Sequence, residues 1–310
     1  INAKELYKLS IQNNNINSYC RLGILYYNGL GVEKPDFIKA RMYFERSLTP
    51  EAKYYLGLIN LKGQGVAQNR SSAEQFFTES GKEGYSQGWV QLGDIYFNEH
   101  NIQQCIKYYE NAVQQNDSNG YKKLGDLYFS EKNYQKAKEY YEQIKNEDDS
   151  AILQKLGYIH LYTDNNVSEA KKCFEKAENN YNNNNILALL GLGEIYYEEK
   201  YVKQDYNKAK HYYELAAQKH YNSFALCKLG NIYSKGKLGK INYEKSIKYY
   251  KKAAKLGYEN GYYSLATIYY QINDNQVNID KIIKYLEKTL EINANHIDSL
   301  NLLGYIYLNE

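Results

Sequence analysis

The residues of this 310-residue chain best suited to metal binding or nucleophilic chemistry are five histidines, His100, His160, His211, His220 and His296, and four cysteines, Cys20, Cys105, Cys173 and Cys227. A metal knuckle needs ligands in close pairs, and a nucleophile needs a base and an orienting acid within reach. Neither arrangement can be assembled. The cysteines stand in separate stretches, there is no His-Glu-x-x-His or Cys-x-x-Cys, and no Ser, His and Asp set can be nominated. Gly29-Leu30-Gly31 and Gly63-Gln64-Gly65 could cradle a phosphate. Both follow helix-like segments rather than strands and lack the Lys and Ser/Thr of a phosphate loop, so they read as turn and helix-capping glycines. Gly236-Lys237-Leu238-Gly239-Lys240 is a loop insertion. The sequons at Asn69, Asn116 and Asn166 match what chance gives in an Asn-rich chain. The expectation is no catalytic residue, no metal ligand and no cofactor.

The elements around these residues repeat. In Leu192-Gly193-Glu194-Ile195-Tyr196-Tyr197, Leu192, Ile195 and Tyr196 share one helix face, and Gly193 leaves room for a neighbouring helix. After a loop, Asp205 is placed to cap a second helix bearing Tyr206, Ala209, Tyr213 and Ala216. The marker glycine recurs at Gly23, Gly57, Gly93, Gly125, Gly157, Gly193, Gly230 and Gly304, with Ala266 standing in between the last two, at intervals of 32 to 38 residues (57 − 23 = 34; 304 − 266 = 38). That period predicts stacked helical hairpins. His160 takes the place of Tyr in sister repeats and reads as a packing residue.

From the marker to the small residue of the second helix the distance is twelve or thirteen in the third to fifth repeats (Gly93 to Cys105, Gly125 to Ala137, Gly157 to Ala170). It is sixteen or seventeen in the first, second, sixth and seventh (Gly23 to Ala40, Gly57 to Ala73, Gly193 to Ala209, Gly230 to Ser246). The short form resembles a tetratricopeptide repeat. The long form is similar to the Sel1-like repeat, on Leu22-Gly23-Ile24-Leu25-Tyr26-Tyr27-Asn28-Gly29-Leu30-Gly31-Val32 with Lys39-Ala40, and on Gly63-Gln64-Gly65-Val66. The resemblance implies an all-α, right-handed superhelical solenoid of about eight to nine repeats, forming a single domain over 1–310.

Residues 1–15 are expected to form the second helix of an earlier repeat or a cap, and Gly81, Gly84 and Gly88 to mark a flexible passage. A geometric break is expected near 179–185, within Asn179-Asn180-Tyr181-Asn182-Asn183-Asn184-Asn185. In the eighth repeat Ile282, Leu286 and Thr289 replace the usual small and aromatic residues, and its Asn273-Asp274-Asn275 loop is polar. The apolar helix at Leu302–Leu308 calls for a cover, from further chain or from another subunit.

Tyr occurs 38 times and Pro twice, so aromatic rings fill much of the interhelical space. A formal charge of +3 from 39 basic and 36 acidic residues, mixed along the chain, gives no basic stripe for nucleic acid. No apolar run reaches the roughly 20 residues of a membrane span. No signal peptide is visible, and the scattered cysteines favour a reducing, cytoplasmic setting.

In tetratricopeptide-like solenoids the first helix of each repeat lines the concave face. The resemblance therefore implies a partner-binding groove from the residue after each marker glycine and its neighbour one turn on: Asp94 with Phe97, Asp126 with Phe129, Tyr158 with Leu161, and Glu194 with Tyr197. It departs from the carboxylate-clamp type, which wants Lys and Asn there. The expected function is a non-catalytic scaffold or adaptor for a protein or peptide partner with basic and apolar residues. The alternative is a regulatory or substrate-docking region of a larger enzyme.

Overall fold

The computed structural model describes residues 3–13, 15–31, 33–144, 149–179, 185–272 and 279–309. Among them are eighteen α-helices and no strand. Val32, residues 180–184 of the expected break and the Asn273-Asp274-Asn275 loop lie outside the described residues. The chain forms two compact units, Ile1–Asn146 and Glu147–Glu310.

In the N-terminal unit α1 (Ala3–Gln12) precedes four hairpins: α2 (Ile16–Asn28) with α3 (Phe37–Ser47), α4 (Pro50–Lys62) with α5 (Arg70–Lys82), α6 (Gln87–Asn98) with α7 (Ile102–Gln114), and α8 (Ser118–Ser130) with α9 (Tyr134–Glu142). The C-terminal unit repeats the plan with α10 (Ser150–Tyr162) and α11 (Val167–Asn179), α12 (Ile186–Tyr197) and α13 (Tyr206–His220), α14 (Ser223–Ser234) and α15 (Tyr243–Lys255), and α16 (Glu259–Ile272) and α17 (Ile279–Ile292). The helix α18 (Ile297–Asn309) follows.

Seven of the eight hairpins are locked by one ring in one hole. A Cβ placed on Gly23, Gly57, Gly125, Gly157 or Gly193 would lie 2.5–2.7 Å from the ring of Phe44, Phe77, Tyr141, Phe174 or Tyr213 respectively, and Tyr109 and Tyr250 fill the same space over Gly93 and Gly230. Any side chain at these positions would collide with a fully packed ring. Ala266 does carry a Cβ, and its second helix presents the smaller Leu286 instead of a ring; both are fully buried in one cluster.

Tyrosine also supplies a second layer. One turn beyond the marker glycine, a Tyr stacks on the residue preceding the locking ring or its Leu286 counterpart: Tyr26 on Tyr43, Tyr96 on Tyr108, Tyr128 on Tyr140, Tyr196 on Tyr212, Tyr233 on Tyr249 and Tyr269 on Tyr285, with centroids 5.4–6.0 Å apart. Lys39, Lys136, Lys208, Lys245 and Lys281 reach over five of these rings from the start of the second helix. These offset pairs account for much of the tyrosine content, since a ring buries a large area and still leaves its hydroxyl at the edge.

Asparagine has a structural use too. Asn69, Asn101, Asn133, Asn222 and Asn242 each cap a second or first helix by accepting from a backbone N–H of its first turn, as do Asp36, Asp117, Asp149 and Asp205. Two of the three sequon asparagines are caps, Asn69 and Asn166, and Asn116 holds a left-handed turn. Gly29 and Gly63 terminate α2 and α4 in the left-handed conformation, with their N–H groups bonded to Leu25 and Ile59, which confirms their reading as capping glycines. The expectation of a flexible passage at Gly81 and Gly88 is corrected. Both lie inside helices, Gly81 against the Trp89 ring and Gly88 against the Phe77 carbonyl, so they serve close approach rather than flexibility; only Gly84 sits in the turn.

A row of first-helix side chains as the candidate functional site

On α6, Asp94 accepts a hydrogen bond of 2.6 Å from the Tyr109 hydroxyl and pairs at 2.7 Å with Lys123 of α8. One turn on, Phe97 is 45% exposed. On α8, Asp126 accepts from the Tyr141 hydroxyl at 2.7 Å, and the half-buried Phe129 meets Tyr134 edge to face at 5.4 Å. The N-terminal unit thus brings two acid and ring pairs onto successive first helices.

In the C-terminal unit, Tyr158 packs on Tyr162 at 4.6 Å, and the Tyr162 hydroxyl donates to Glu194 at 2.6 Å, tying α10 to α12. Leu161 does not accompany Tyr158 outward: it is fully buried in the core with Phe174 and Leu192, because its turn of α10 faces α11 and α12. Tyr197 is only 9% exposed. It contacts Tyr206 and Tyr213 edge to face and is covered by the Lys228 ammonium at 4.9 Å, which also pairs with Glu198 at 3.6 Å. Beyond it a groove of about 470 Å³ runs between α14 and α16, lined by Phe224, Lys228, Asn231, Tyr263, Ser264 and Thr267 among others.

The acids are explained in part by the locking rings. Where the ring is Phe44, Phe77 or Phe174, the residue after the marker glycine is Ile24, Leu58 or Tyr158. Where it is Tyr109, Tyr141 or Tyr250, that residue is Asp94, Asp126 or Asn231, and each accepts the tyrosine hydroxyl at 2.6–2.7 Å. A buried hydroxyl must find a partner, and this position supplies it. Tyr213 departs from the rule. Glu194 is engaged by Tyr162, and the Tyr213 hydroxyl is buried with no hydrogen-bond partner among the described residues. Burial first, and then the adjacent carboxylate, hold the Tyr109 and Tyr162 hydroxyls well above their ordinary pKa, and burial pushes Tyr197 up to about 12.

The partners Lys123 and Lys228 escaped the sequence reading, although a signal was present: each stands two residues before a marker glycine, as do Arg21 and Lys155. Arg21 in turn pairs with Glu51 at 3.2 Å. The row is therefore of mixed charge rather than simply acidic. Tyr162 was missed because nothing in its spacing shows that its hydroxyl reaches the next first helix.

Among the described residues, no three His, Cys, Asp or Glu side chains converge as a metal ion requires. Cys20, Cys105, Cys173 and Cys227 are buried and unpaired. His160 bonds Asp164 of its own turn at 3.0 Å. No helix among the described residues is long and apolar enough to cross a membrane.

Residues 16–48, 50–85, 153–182, 186–221 and 223–258 match the Sel1 repeat, and residues 86–119 and 121–148 the tetratricopeptide repeat. The fifth hairpin, grouped by its short loop with the tetratricopeptide form, thus matches the Sel1 model. A protective antigen of uropathogenic Escherichia coli strains displaying an SLR fold is similar over 100% of this chain and 68% of its own, with a TM-score of 0.77 and 24% identity. A Sel1 repeat protein from Oxalobacter formigenes is similar over 76% of this chain and 96% of its own, with a TM-score of 0.54 and 22% identity. Among curated proteins, the ERAD-associated E3 ubiquitin-protein ligase component HRD3B of Arabidopsis thaliana is 45% identical over 51 residues, 16% of this chain; the match spans 8% of the plant protein's length. Repeats of this kind are scaffolds typical of protein–protein interaction, and the five matches show that this chain belongs to the Sel1 repeat family.

Proposed function

We propose that the protein is a non-catalytic scaffold or adaptor that binds a peptide segment of a partner protein on the exposed side of the first helices of its N-terminal unit, through Asp94, Phe97, Asp126 and Phe129; Tyr158 and Glu194 mark a separate face of the C-terminal unit, and Tyr197, expected to share it, is too buried to meet a ligand directly. The observation that carries this reading is the exposed Phe97 ring one turn from the Asp94 carboxylate on α6, a placement repeated on the next first helix, α8, by Phe129 and Asp126. A ring beside a carboxylate suits a segment with Lys or Arg next to an apolar residue: the ring supplies affinity and the charge supplies steering. Lys123 lies across Asp94, so a basic ligand residue would exchange with an internal ion pair rather than meet a bare acid.

The test is selection of peptides from a random library on the folded protein, followed by titration of the winners against variants. Asp94→Asn and Asp126→Asn keep an acceptor for the tyrosine hydroxyl and remove only charge; Tyr109→Phe and Tyr141→Phe do the converse. The reading expects basic and apolar winners whose association slows in the two Asn variants and is unchanged in the two Phe variants. Winners without a basic residue, or binding indifferent to both Asn variants, would overturn it.

A second reading, a substrate-docking or regulatory region of a larger enzyme, is supported by the 45% identity over 51 residues to a ubiquitin-ligase component. It predicts that partners captured on this face include a catalytic subunit or proteins that such an enzyme modifies.

A further inference from the structure

The second helices of most hairpins balance their charge, and α15 does not. Basic and acidic residues are equal in number on α5, α7, α9, α11 and α17, and α3 and α13 carry an excess of two basic residues. On α15 the five lysines Lys245, Lys248, Lys251, Lys252 and Lys255 stand against Glu244 alone (5 − 1 = 4). That helix exceeds the +3 of the whole chain, so everything else sums to −1 (3 − 4 = −1). Elsewhere among the second helices a carboxylate one turn on takes up the cation: Arg41 pairs with Glu45 at 2.6 Å, Arg70 with Glu74 at 2.7 Å, Lys171 with Glu175 at 3.7 Å and Lys210 with Glu214 at 3.7 Å.

No lysine of α15 has an ion pair among the described residues, and Glu244, one turn before Lys248, does not pair with it. Lys245 lies over the Tyr233 ring at 5.2 Å and so has a structural use. Lys248, Lys251, Lys252 and Lys255 are exposed on one face, and at spacings of three and four they make four like-charge pairs, each of which destabilises the helix. The helix dipole compensates only Lys252 and Lys255, in the last turn. The face therefore weakens the helix that carries it, and an opposite charge from outside would relieve it.

Two hollows flank these lysines, and Lys252 and Lys255 line both. One, of about 460 Å³, lies beside Ile247, Lys248 and Lys251. The other, of about 410 Å³, is lined by Ala217, Leu226, Tyr249 and Leu256, and its acid, Glu214, is the one already paired with Lys210.

We propose that this face of α15 docks an acidic segment of a partner protein, with carboxylates on Lys248, Lys251, Lys252 and Lys255 and apolar side chains in the two hollows. Charge complementarity sets the sign of the partner, and the hollows set its class. A concave apolar lining receives protruding side chains, whereas a bilayer calls for apolar groups that project from the protein, and a nucleic acid for aromatic stacking surfaces along a longer basic track. The surface lies on a second helix of the C-terminal unit and prefers the opposite charge to the Asp94 and Asp126 row, so it does not rest on that reading.

The test is selection from a random peptide library on the full chain, after depleting the library on a variant with Lys248→Gln, Lys251→Gln, Lys252→Gln and Lys255→Gln. Glutamine keeps the helix propensity of lysine, and circular dichroism should show unchanged helical content. The winners should combine Asp or Glu with apolar residues and lose affinity as salt rises. Lys252→Gln alone should weaken them by about threefold or more. Leu256→Ser, at a half-exposed position, should weaken them without altering the salt dependence, and Asp94→Asn with Asp126→Asn should have no effect. A selection without winners, winners lacking acidic residues, or a polyglutamate of equal charge that binds as tightly as the winners would each overturn the proposal. So would phosphatidylserine vesicles or duplex DNA that bind through the same four lysines more tightly than any winner.

Discussion

The Tyr141 hydroxyl donates to Asp126 at 2.7 Å, across the same hairpin in which its ring covers Gly125. One side chain thus fills the hole beside the glycine and also determines what the residue after the glycine must be. Asp126→Leu should leave the buried hydroxyl without this acceptor and cost about 1–3 kcal/mol. The pair Asp126→Leu with Tyr141→Phe recreates what Leu58 and Phe77 already form in the second repeat, and should recover most of that loss. Urea unfolding of the two single variants and the double would show it; additive losses in the double would break the pairing rule.

Gly125→Leu and Gly193→Leu should each destabilise by about 1–3 kcal/mol or more, since the added side chain enters a space held by Tyr141 or Tyr213. Gly31 has φ +70° and nothing within 4 Å, so Gly31→Ala carries only the strain of a left-handed backbone, about 1 kcal/mol. Thermal denaturation of the three variants distinguishes packing from conformation, and Gly125→Ala with Tyr141→Leu, which copies the Ala266 and Leu286 pair, should be milder than Gly125→Ala alone.

Alkaline pH should destabilise the protein before it hydrolyses anything. Burial pushes the thiols of Cys105 and Cys227 up to about 11 and about 12, from an ordinary value of 9.0. The unfolded chain loses these protons first, so their contribution is complete below about pH 9 and falls away as pH rises through the folded-state values. Urea midpoints should be level near neutrality and decline above about pH 9, with a shallower decline in Cys227→Val. A midpoint that climbs over that range would contradict the burial of these thiols.

For partner binding, Phe97→Ala should weaken a selected peptide by about 1–2 kcal/mol if the ring is an anchor, with little loss of stability because the ring is 45% exposed. Tyr197→Ala should do the reverse, disturbing the Tyr206 and Tyr213 contacts first. Isothermal titration alongside melting curves separates the two outcomes.

The hairpins were legible in the sequence because one requirement, a glycine under a ring, recurs at a fixed register and leaves the same trace each time. Even its exception is written there, in Ala266 and Leu286. The surface was less legible. Asp94 and Asp126 carry two demands at once, satisfying a buried hydroxyl and facing outward, and sequence spacing reports the position without the partner. Leu161 and Tyr197 were expected to share the outward face of Phe97 and Phe129, but Leu161 is fully buried and Tyr197 is only 9% exposed, which spacing alone does not report. Lys123 and Lys228 could have been found from their shared offset before the glycine.

Trp89 is the sole tryptophan of the chain, and it lies in the N-terminal unit, buried against Gly81 and stacked on Tyr108 at 6.0 Å. Emission excited at the red edge of the ultraviolet band is therefore a local thermometer for that unit alone. Tyrosine ellipticity, from stacked pairs in both units, averages over the whole chain. Melting curves by the two signals will superimpose if the units unfold as one cooperative body and separate if each melts on its own.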